Sequence, residues 1–69
     1  MEPRQYQALA IAHAIKFYIR TGMKVNTAYT PDAMLRTAGW ITGKSYTRRQ
    51  MQMAADDLVR WVEDRRRQA

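Results

Sequence analysis

The chain has 69 residues, 12 of them Lys or Arg and 6 Asp or Glu, for a formal net charge of +6. That length holds one domain, residues 1–69, with a small core. Without cysteine there is no disulfide framework and no thiolate metal site. The single His has no cluster of acids near it, so neither a metal nor a cofactor is expected.

Met1 to Arg4 reads as a short lead-in, and Pro3 suits a first helical turn because its missing N–H would be unpaired there anyway. From about Arg4 to Thr21 the apolar residues recur at helical spacing. Tyr6, Ala10, Ala14 and Phe17 form one line, and Ala8, Ile11, Ala12, Ile15 and Ile19 form another. Only a narrow strip stays polar, through Gln5, His13, Lys16 and Arg20. A helix apolar around so much of its circumference is central in a fold or buried on two sides. In so short a chain this predicts self-association, a homodimer through the first helix.

Gly22 is placed to cap that helix. Met23 to Tyr29 reads as a linker, with Met23 and Val25 alternating with polar residues as in a short extended piece. Thr30, Pro31 and Asp32 supply an N-cap, a first-turn proline and an acid for the positive end of a second helix. It should turn Met34, Leu35, Ala38 and Ile41 inward and Arg36 and Thr37 outward. Gly39 weakens the pattern and favours an early end, Trp40 is expected to pack, and Gly43 is the latest stop.

The strongest start signal belongs to the last helix. Thr47 and Gln50 have the spacing of a capping box, and Tyr46 and Met51 that of a hydrophobic staple. Met51, Ala54, Ala55, Leu58, Trp61 and Val62 then make one stripe. Gln52, Asp56, Asp57, Arg60, Glu63 and Asp64 take the other face, where Asp56 and Arg60 are spaced for an ion pair. Arg65, Arg66 and Arg67 suit the negative end of the helix dipole and read as a solvated, fraying tail. The expected fold is all-α, a small three-helix domain with helices near 4–21, 31–42 and 47–66, its second and third helices ordered like a helix-turn-helix. The expected core is Leu9, Ile11, Ile15, Leu35, Ile41, Leu58 and Val62.

The chain shows no charged-then-apolar leader, and Ala8 to Ile19 is too short to span a membrane and contains His13 and Lys16. A cytoplasmic protein with no membrane contact is expected. Gly43-Lys44-Ser45 is not a phosphate loop, because Ala38 stands where that motif needs its first glycine. No nucleophile–base pair stands at a recognisable spacing, so catalysis is not expected.

The stretches Ala12-His13-Ala14-Ile15-Lys16-Phe17-Tyr18, Thr21-Gly22-Met23-Lys24-Val25-Asn26, Ala28-Tyr29-Thr30-Pro31-Asp32-Ala33-Met34-Leu35 and Ile41-Thr42-Gly43-Lys44-Ser45-Tyr46 resemble small proteins encoded by bacteriophages and prophages. The resemblance spans most of the chain and carries no catalytic or binding residue with it. It implies a bacterial host cytoplasm and two roles: a DNA-binding regulator, or an inhibitor of a host defence or transcription component.

Two functional expectations follow. In the first, the chain is a non-catalytic phage protein that binds and inhibits or modulates a host protein, with Tyr18, Tyr29, Tyr46 and Met53 as anchors. In the second, Thr47, Arg48, Arg49 and Gln52 open a recognition helix on duplex DNA, and Lys44 touches phosphate. The acids farther along the third helix would repel phosphate, which favours the protein partner.

Overall fold

The structure, a computed structural model, describes residues 3–68 and contains three helices. They are α1 (Pro3–Thr21), α2 (Pro31–Thr42) and α3 (Met51–Gln68), the last entered through a single 3-10 turn at Arg48–Gln50. Met1 and Glu2 of the expected lead-in lie outside the described residues. The all-α expectation holds, and among the described residues there is no strand.

Local chemistry accounts for each boundary. The N–H of Gly22 donates to the Tyr18 carbonyl at 2.7 Å, and its φ of +74° ends α1 in a conformation that glycine adopts freely. The linker makes no extended piece. Instead the Asn26 side chain accepts from the N–H groups of Ala28 and Tyr29 at 2.9 and 3.1 Å, a local turn that Asn favours. The Thr30 hydroxyl accepts from the Ala33 N–H at 3.2 Å, with Pro31 in the first turn of α2. At the next boundary the Gln50 carboxamide accepts from the Thr47 N–H at 2.9 Å, the back-reaching half of the capping box. Thr47 therefore starts the 3-10 turn, and α3 proper begins three residues beyond Arg48.

The core is one cluster drawn from all three helices, and α1 packs most extensively on α3. Ala8 and Ala12 of α1 and Ala54 and Ala55 of α3 are fully buried, side chains small enough for close helix approach. Ile15, Met34, Leu58 and Val62 are the largest fully buried side chains. Every expected core residue is buried except Leu9, which packs half-buried at the edge.

Four further expectations need correction. Gly39 does not end α2 early; the helix runs to Thr42, and a Cβ on Gly39 would collide with the Lys44 carbonyl oxygen. Trp40 is 65% exposed, because at 100° per residue it falls well off the stripe that buries Met34, Leu35, Ala38 and Ile41. Asp56 accepts from the Gln52 side chain at 3.0 Å, and no ion pair with Arg60 is formed among the described residues. The Arg65–Arg67 segment is helical rather than frayed, α3 continuing to Gln68, and the Arg65 guanidinium stacks 4.4 Å from the centroid of the Trp61 ring.

Candidate partner-binding surface

The outer face of α2 and the turn that follows it enclose an open cleft of about 390 Å³, lined among others by Asp32, Arg36, Trp40, Lys44, Tyr46 and Arg48. Its floor exists because Gly39 lacks a side chain, so the turn can lie directly on the last part of α2. Gly43, at φ +78°, makes the turn, and its N–H donates to the Gly39 carbonyl at 2.8 Å.

Tyr46 and Asp57 lock this turn onto α3. The Tyr46 hydroxyl donates to the Asp57 carboxylate at 2.8 Å, and the Lys44 ammonium reaches the same oxygen at 3.1 Å. Tyr46 uses its proton on Asp57, so the Thr42 hydroxyl proton is shared between the Ala38 carbonyl at 2.9 Å and the Tyr46 oxygen at 3.0 Å. The Tyr46 hydroxyl, followed by Lys44, holds the Asp57 carboxyl below its ordinary 3.8, against an opposing effect of burial. Burial pushes the Tyr46 phenol above its ordinary 10.0. The Asp57 side chain is only 12% exposed, so it belongs to this latch and not to a solvated acidic face.

The opposite wall is fixed by Arg48. Its guanidinium makes a two-pronged contact with Asp32, Nε to Oδ1 at 3.1 Å and Nη2 to Oδ2 at 3.2 Å. Arg48 lowers the Asp32 carboxyl from its ordinary value by hydrogen bonding first and charge second. Trp40 lines the same cleft, with the Arg4 guanidinium stacked 4.8 Å from its ring centroid. A second hollow, of about 480 Å³, is lined by Trp40 together with Arg4, Gln7 and Arg65.

The candidate residues read from sequence are divided by this arrangement. Lys44, Tyr46, Thr47 and Arg48 line the cleft, with Lys44 and Arg48 engaged by carboxylates of the same chain. Arg49, Gln52 and Met53 are exposed on the first turns leading into α3, Met53 by 51%. Tyr18, Tyr29 and Tyr46 are half-buried against the core, which limits the ring surface each can offer a partner. Trp40, Arg36 and Arg4 are the residues that sequence reasoning missed. The signal for them was angular: Arg36 and Trp40 are one helical turn apart, both off the apolar stripe.

Comparison of the chain with known protein families, characterised proteins and solved structures gives no match. Function is therefore read from the chain's own surface. Among the described residues there is no group of three or more His, Cys, Asp or Glu placed to hold a metal ion, and no helix is long and apolar enough to cross a membrane.

Proposed function

We propose that this chain is a non-catalytic binding module that docks on a partner protein through the Trp40 cleft and modulates that partner by covering its surface. The observation that carries the reading is the exposure of Trp40 beside arginine side chains in a concave setting. Trp and Arg dominate the energetics of protein interfaces because each buries a large area and still offers polar contacts. The ion pairs of the cleft hold Lys44 and Arg48 in place before binding, which reduces the ordering cost of association. The likeness to small phage proteins makes a host defence or transcription component the partner to test first, in a bacterial cytoplasm.

A DNA-binding regulator of helix-turn-helix type is the second reading, favoured by exposed Arg49 and Gln52 leading into α3. Three features weigh against it. Asp57 and Asp32 already neutralise Lys44 and Arg48, Gln52 is tied to Asp56, and Glu63 and Asp64 follow along the same helix. Such a surface has few free cations to displace counterions from a duplex.

Affinity capture from a nuclease-treated bacterial lysate, run in parallel with wild type and Trp40→Ala, tests the proposal. A stoichiometric protein retained by wild type and lost by Trp40→Ala, with helicity unchanged, is the expected result. Loss of every partner after nuclease, together with selection of a discrete DNA site, would establish the regulator instead.

A further inference from the structure

A second surface lies on the far side of α1 and is independent of the Trp40 cleft. Tyr6, Ala10, His13, Phe17 and Arg20 follow one another at steps of three and four residues and so share one stripe of the helix. Tyr6 is 71% exposed, and Ala10 and Phe17 are each only partly covered. Arg4, which stacks on Trp40, stands about 160° around the helix from Tyr6. Two adjoining hollows run along the stripe. One, of about 360 Å³, lies among Tyr6, Leu9, Ala10 and His13. The other, of about 460 Å³, continues from Ala10 and His13 past Phe17 to Arg20.

We infer that this stripe is the seat of a second copy of the chain, packed antiparallel along α1. A two-fold axis between Ala10 and His13 sets Tyr6 of each copy opposite the partner's Phe17 and Ala10 opposite the partner's His13. Each copy's hollow then receives an aromatic ring from the other, and the small side chain at Ala10 lets the helices approach. This is the self-complementarity that an isologous contact requires.

Charge selects the same arrangement. On this face Lys16, Arg20 and Lys24 all lie at or beyond the C-terminal half of α1, while Tyr6, Leu9 and Ala10 at its other end are uncharged and Arg4 points to the opposite side. Antiparallel packing puts the cationic end of each stripe against the uncharged end of the other and aligns the helix dipoles favourably. Parallel packing would bring the cations of both copies together, a direct repulsion. Arg20 already lies 6.0 Å from the centroid of the Phe17 ring, and the partner's Tyr6 would extend that aromatic surface. The dimer leaves both Trp40 clefts open.

Sedimentation equilibrium from micromolar to millimolar protein tests the inference. Wild type should pass from monomer to dimer. Tyr6→Glu, at an exposed position, should raise the dissociation constant at least tenfold with circular dichroism unchanged, and Trp40→Ala should dimerise like wild type. The chain has no native cysteine, so Arg20→Cys carries a single spin label. The antiparallel dimer offsets the two labels by about 25 Å along the axis, whereas a parallel one would hold them level. A monomer at millimolar concentration, a dimer indifferent to Tyr6→Glu, or level labels would each overturn the inference. So would a monomer that uses this stripe to bind anionic vesicles.

Discussion

Replacing Gly39 by Ala separates local preference from tertiary constraint. In an ordinary helix interior this change stabilises by about 0.5–1 kcal/mol, since Ala loses less backbone freedom on folding. Here the added Cβ would meet the backbone carbonyl of Lys44, an atom that cannot swing aside as a flexible side-chain tip can. Relieving the overlap requires the turn to lift from α2, and overpacking of this kind costs about 1–3 kcal/mol. The net expectation is a loss of about 1–2 kcal/mol, with each kcal/mol lowering the melting temperature by about 4–8 °C in a domain of this size. Urea denaturation followed by circular dichroism measures the loss. Carbon-13 NMR of the Asp57 carboxyl gives an independent readout, because a lifted turn weakens the Tyr46 and Lys44 contacts that lower its pKa. If Gly39→Ala is as stable as wild type or more so, with Asp57 unshifted, the packing of the turn against α2 has been misread.

Leu58 is fully buried at the centre of the cluster, so Leu58→Ala should destabilise by roughly 2–5 kcal/mol in the same denaturation assay. The Asp57 carboxyl is depressed in the folded chain, so its contribution to stability is present above the unfolded value and is lost as pH falls through the lower folded one. Asp57→Asn should therefore flatten the decline in stability below pH 3.8, measured by urea midpoints across the acid range. Tyr46→Phe removes the largest cause of that depression, so the Asp57 titration should move upward in the NMR experiment. Asp32→Asn releases Arg48 from its ion pair; under the protein-binding reading capture of the same partner should weaken, because Arg48 is no longer held in place, whereas a salt-sensitive gain in duplex affinity would favour the DNA reading.

The sequence alone carried the helix count and most boundaries, because those depend on residues within a turn of one another. Gly22 and Gly43 could end helices by adopting positive φ, and Thr30 with Pro31 could begin one, without reference to the rest of the fold. The buried stripe through Ile11, Ile15, Leu35, Ile41, Leu58 and Val62 was legible for the same reason: helical spacing puts these residues on common faces. The candidate surface was only half legible. Lys44 and Arg48 stood out as cations beside a helix start, but their partners Asp57 and Asp32 lie 13 and 16 residues away, and only packing brings them within reach. Trp40 was misplaced because size and hydrophobicity suggest burial, whereas its angle on α2 leaves it in solvent. Gly39 looked like a flaw in a helix until the turn was seen lying against it. Backbone capping and periodicity act along the chain, so the sequence determined where helices form. Which side chains stay exposed, and which charges cancel, was decided by how the three helices lie on one another.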